Sequence, residues 1–91
     1  MLKCFLACYI YKHTPQACAA GANMRRVPEQ TVEECQKLCS ADERCKAVEY
    51  GVSHGGAHQV YKSRDCQLNS DSDMGSCNGT YNNLDLYVKY T

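Results

Sequence analysis

The 91 residues suit one domain and leave no room for two cores. Ten basic residues balance ten acidic ones, and the only adjacent basic pair is Arg25-Arg26, which argues against a nucleic-acid binder and reads as a solvated loop. No apolar run reaches the roughly 20 residues that a membrane crossing takes, so no membrane insertion is expected. Apolar types make up 44% of the chain, yet there is no Trp and one Phe; eight Cys place the composition among secreted disulfide scaffolds.

The first segment, "MLKCFLACYIYK", has Met1, a basic Lys3 and an apolar run from Cys4 to Tyr11. It resembles a short signal-peptide core with its basic flank, and "ACAAG" offers small residues near a cut. The run is short and carries two Tyr, so a linker, the tail of a preceding segment or a first strand stays open. Residues 1–17 are therefore set apart as an N-terminal segment, and the domain proper is placed at 18–91. Without Cys4 and Cys8 six cysteines remain, still an even number.

The best-defined element starts at Thr31, which with Glu34 three residues on makes a T-x-x-E capping box. Pro28 keeps the preceding chain extended, and Glu33 and Glu34 lie where the helix dipole favours negative charge. Val32, Cys35, Leu38 and Cys39 fall on one face, so a short helix is predicted from about Thr31 to Ala41 with both cysteines inward. After Cys45, "KAVEYGV" alternates as a strand with Val48, Tyr50 and Val52 on one side. "SHGGAH" is a loop, "QVYKSRDCQL" a second strand leading through Cys66 to Leu68, and "NSDSDMGSCNG" loop chemistry throughout. "LDLYVKY" closes the chain as a strand with Leu84, Leu86, Val88 and Tyr90 on one buried face. One helix followed by short strands makes the fold class α+β: a single α-helix packed on an antiparallel β-sheet.

Several chemistries compete for these residues. Cys4/Cys8 and Cys35/Cys39 are C-x-x-x-C pairs that four thiolates of a zinc site would need, but their separation exceeds ribbon or finger spacing and four cysteines are left over. His54 and His58 are four apart, but two glycines between them disfavour a helical metal pair, so no metal is assigned. "NSDSDMG" opens like a calcium loop with Asn69, Asp71 and Asp73, yet its Gly comes one residue late and Thr80 stands where the bidentate Glu belongs. No C-x-x-C supports a thioredoxin-type redox pair and nothing like G-x-S-x-G frames a nucleophile. No catalytic residue and no cofactor is therefore assigned, and the chain is not expected to be an enzyme. "NGT" at 78–80 is an N-glycosylation sequon at Asn78; it reads equally as an Asn-Gly turn.

"CQKLCSADERC" on a helix, then "KAVEY", "DCQL" and a closing "LDLYVKY" resemble the PAN/apple domain family over about residues 18–90. The resemblance implies a helix on a curved sheet, Cys35 paired with Cys66, Cys39 with Cys45, and Cys18 with Cys77. Cys4 and Cys8 have no family counterpart; they pair with each other, are cleaved off or pair outside the domain.

The same resemblance implies a secreted or extracellular recognition module, binding a protein or a glycan, with adhesion and neighbouring domains of a larger chain as its context. The family's binding residues sit in variable loops, so none carries over. From the residues themselves, "SHGGAHQVYKSR" is the candidate binding surface, with His54, His58, Tyr61, Lys62 and Arg64, set against a plain surface hairpin. The alternative role is a small disulfide-rich effector, such as a protease or channel inhibitor; a zinc-binding domain is the lesser one.

Overall fold

A computed structural model describes residues 9–19, 23–52, 62–75 and 77–90. Its elements run β1 (Ile10–Thr14), β2 (Asn23–Val27), α1 (Val32–Ser40), β3 (Ala47–Gly51), β4 (Cys66–Asn69), α2 (Gly79–Asn82) and β5 (Leu84–Tyr90). The capping box at the start of α1 is fully formed. Glu34 N–H donates to Thr31 Oγ1 at 3.1 Å, and Thr31 N–H donates to Glu34 Oε1 at 2.8 Å. The Thr31 backbone N–H, and after it the Thr31 hydroxyl, hold the Glu34 carboxyl below the usual carboxylate range.

The five strands form one sheet in the order β1-β5-β3-β4-β2, with every neighbouring pair antiparallel. On one face, Cys35 and Cys39 of α1 meet Cys45, Val48, Tyr50, Cys66 and Leu68, all buried. Cys35–Cys66 ties α1 to β4, and Cys39–Cys45 closes the step from α1 to β3. Tyr11 Oη of β1 donates to Gln36 O at 2.9 Å and so binds the sheet edge to the same helix. On the opposite face Ala17 and Ala19 cross the sheet over Ala47 and Leu86. Cys18–Cys77 joins that crossing segment to the turn before α2.

Four details depart from the sequence pattern. The region read as one strand from Gln59 to Leu68 is a strand only from Cys66; residues 62–65 form a turn, and 59–61 lie outside the described residues. That turn is fixed by Gly51, whose backbone passes so close to Lys62 that an added Cβ would stand 1.8 Å from its carbonyl oxygen. Loop chemistry does not run through Gly79, because Asn78 Oδ1 accepts from Tyr81 N–H at 2.9 Å and caps the single helical turn α2. β5 does not bury one face alone: Leu84, Asp85 and Leu86 are all buried, since β5 lies between β1 and β3 with cover on both sides. Arg25-Arg26 is no loop but part of the edge strand β2, and residues 10–14 of the N-terminal segment are the opposite edge, β1.

Candidate functional site

Alternation along β2 sends its two arginines to opposite faces of the sheet. Arg26 pairs with the buried carboxylate of Asp65, its Nε donating to Oδ2 at 3.1 Å. Arg25 instead faces the helix side, where with Leu38 and Ala41 of the α1 terminus and Leu68 of β4 it bounds an open cleft of about 470 Å³. The far wall is the α1–β3 connection, Asp42, Glu43 and Arg44. The cleft is therefore apolar where α1 meets β4 and charged along both rims.

The far wall is locked from several directions. The Cys39–Cys45 bridge closes it covalently with a sequence separation of 6. Asp42 N–H donates to Cys39 O at 3.1 Å and Cys45 N–H donates to Asp42 O at 3.0 Å. Lys89 Nζ reaches across from β5 to the carbonyls of Cys39 (2.9 Å) and Asp42 (3.2 Å), completing the helix C-terminus with a cation. Partial burial, and secondarily the charge of Lys46, lowers the Lys89 ammonium from its ordinary value. The Asp42 carboxylate accepts from Arg44 N–H (2.9 Å), Nε (3.3 Å) and Nη2 (3.2 Å). The Arg44 side-chain and backbone donors hold the Asp42 carboxyl below its ordinary range. Asp42 and Arg44 thus neutralise each other, while the side chains of Arg25 and Glu43 have no hydrogen bond or ion pair among the described residues.

The residues singled out from the sequence lie elsewhere. His54, His58 and Tyr61 fall outside the described residues, as do Cys4 and Cys8. Lys62 and Arg64 are exposed and belong to the turn beside the N-terminal end of α1: Arg64 N–H donates to Gly51 O at 2.8 Å and Gln30 N–H to Arg64 O at 3.0 Å. They do not line the cleft, which sits at the other end of the helix. Asn78 is exposed. Asp71 and Asp73 do not converge on a cation position; each accepts from nearby backbone N–H groups, Ser72 (2.7 Å) and Gly75 (3.0 Å) respectively. Asn69 lies buried in β4.

Two clusters of chemically active types remain. Ligand atoms of Cys18, Glu49 and Cys77 lie within 4.8 Å of one another, but the two sulfurs are spent in their own bridge and offer no thiolate. His13 Nε2 meets Asp85 Oδ2 at 2.8 Å, and its ring stacks on Tyr87 at 4.4 Å; Asp85 also accepts from Gln16 N–H at 2.9 Å. This pair fastens β1 and its following turn to β5 and adjoins no nucleophile among the described residues. Sequence reasoning missed Arg25, Glu43 and the cleft between them. The polar run "SADER", enclosed between two cysteines, was the available signal for one rim; nothing local marked the other.

A helix riveted by buried disulfides to a five-stranded antiparallel sheet, with one preorganised open cleft, defines a disulfide-stabilised α+β module. The PAN domain family model matches residues 4–91, essentially the whole chain, and the chain belongs to that family. Members of the family are protein- or carbohydrate-binding modules of extracellular proteins, generally without catalysis. No curated protein and no solved structure matches the chain.

Proposed function

We propose that this chain is a non-catalytic recognition module of a secreted or surface protein, and that it holds an extracellular protein or glycan in the cleft between β2 and the α1–β3 connection. The observation that carries the reading is the locked rim of that cleft: a binding surface already ordered by a bridge, a lysine and an Asp–Arg pair loses little conformational entropy when a ligand arrives. Family membership over residues 4–91 supports the extracellular context, as do three disulfides of a kind that persist in oxidising compartments. The stretch 53–64, with His54, His58, Tyr61, Lys62 and Arg64, is proposed as a second contact region; of it, Lys62 and Arg64 are exposed among the described residues. Asn78 is proposed as a glycosylation site. Its exposure supports this, and its cap bond uses Oδ1, leaving Nδ2 for the sugar.

The test is a glycan array and a panel of purified extracellular-matrix proteins, both probed with the folded full chain and with a reduced, alkylated control. At least one ligand is expected to be retained by the folded chain and lost by the control. Retention of none overturns the proposal.

A further inference from the structure

The lining of the cleft discriminates between ligand classes. A flat aromatic ring on which the C–H face of a sugar could stack is missing from the residues bounding the cleft. Among the described residues the exposed tyrosines, Tyr81 and Tyr90, lie on α2 and at the end of β5, outside it. What the cleft offers instead is an aliphatic surface of Leu38 and Ala41, with the buried Leu68 beneath it, between two separate charges of opposite sign. Arg25 stands on the β2 side and Glu43 on the α1–β3 side. The third and fourth rim charges, Asp42 and Arg44, are already paired with each other.

From this we infer that the cleft takes a peptide segment of a partner protein in which one aliphatic side chain lies between an acidic and a basic residue. The acid meets Arg25, the base meets Glu43, and the aliphatic group covers Leu38 and Ala41. The inference rests on the recognition-module reading above and narrows it to a protein ligand. A space of about 470 Å³ falls within the usual range for binding pockets and holds an aliphatic side chain with its flanking backbone. Charge complementarity fixes the direction of the peptide, because a reversed segment would set like charges against each other at both rims.

A random peptide library displayed on phage and selected on the folded full chain tests this directly. The enriched sequences are expected to share an aliphatic residue flanked by an acid and a base. Arg25→Glu should weaken a selected peptide about fivefold or more, the loss of one exposed ion pair plus a new repulsion. The double variant Arg25→Glu/Glu43→Lys should recover binding when the acid and base of the peptide are exchanged. Ala41→Trp, which fills the cleft without touching either charge, should abolish binding by both peptides. Both altered charges and Ala41 are exposed, and an unchanged melting temperature certifies the fold of each variant. The inference is overturned if the enriched peptides lack the pattern, or if they bind Ala41→Trp undiminished. It is also overturned if self-association of the chain, rather than peptide binding, is what Ala41→Trp abolishes. Should no peptide be enriched while the glycan array yields ligands, this inference falls and the recognition reading stands; if both fail, both fall.

Discussion

The two faces of the sheet are held by different means. The α1 face is apolar: Cys35, Cys39, Cys45, Val48, Cys66 and Leu68 interdigitate there around two bridges. The opposite face is polar. Glu49, 3% exposed, accepts from Ala19 N–H at 3.0 Å beneath the crossing segment. Beside it Gln67 and Asn69 are buried, and Gln67 Nε2 and Asn69 Oδ1 have no partner among the described residues. Among the described residues, apolar cover on that side comes from the small Ala17, Ala19 and Ala47 with Leu86 and Val88. The α1 face is therefore stabilised by packing and covalent closure together. The far face depends on one bridge and on specific hydrogen bonds, which contribute less each and fail harder when broken.

Bridge removal gives the largest test of that contrast. Loop entropy alone ranks Cys18–Cys77, with a separation of 59, above Cys35–Cys66, with 31: about 4.3 against about 3.7 kcal/mol. Cys35 and Cys66 are both fully buried among core side chains, whereas Cys77 is partly exposed, so packing losses add to the smaller entropic figure. Cys35→Ala/Cys66→Ala is expected to lose about 5 kcal/mol in urea unfolding, more than Cys18→Ala/Cys77→Ala. The reverse order would mean that loop length outweighs packing on the α1 face.

Gly79→Ala probes the far face with a smaller perturbation. An added Cβ would stand 2.1 Å from Ala17 N and 2.4 Å from its Cα, backbone atoms that cannot rotate away. A loss of about 1–3 kcal/mol is expected, as for overpacked cores, measured by thermal melting. A neutral result would show that the crossing segment shifts freely, and that the far face is softer than its burial suggests.

The smallest effect is a slope with pH. Burial raises the Glu49 carboxyl above its ordinary value, against the lowering effect of hydrogen bonds from Asn69 and the Ala19 amide. The folded state thus binds the Glu49 proton more tightly than the unfolded state does. Its contribution to stability is complete below the unfolded value, near pH 4.5, and is lost as pH rises through the raised folded value. Glu49→Gln keeps an acceptor for Ala19 N–H without a titrating charge. Its stability relative to the native chain should therefore improve from pH 4 to pH 8, read as the difference in melting temperature. A constant difference would show that Glu49 ionises in the fold as it does in water.

The α1 face was the legible one. Its capping box, the Cys35/Leu38/Cys39 stripe and the Val48/Tyr50 alternation are local patterns whose periods force the same answer in any compact fold. The far face was obscured because Glu49, Gln67 and Asn69 look like solvated residues, yet all three are buried, Glu49 beneath the chain crossing at Ala19. β2 gave little signal either, since "NMRRV" has no alternation and its pairing with β4 is irregular between Asn23 and Arg25. The candidate cleft was half visible. The run between Cys39 and Cys45 lies in one stretch, but Arg25 reaches it only because β2 pairs with β4 at the sheet edge.

The sequence by itself determined the helix and its cap, the strands β3 and β5, and a composition that calls for disulfide closure. These follow from interactions between residues a few positions apart, or from totals, and need no knowledge of distant neighbours. Only the tertiary structure decided that both faces of the sheet are covered, that Arg25 and Glu43 stand across one cleft, and that Glu49 is buried. Those depend on strand order and on a segment crossing the sheet, contacts between residues far apart in the chain that no local period encodes.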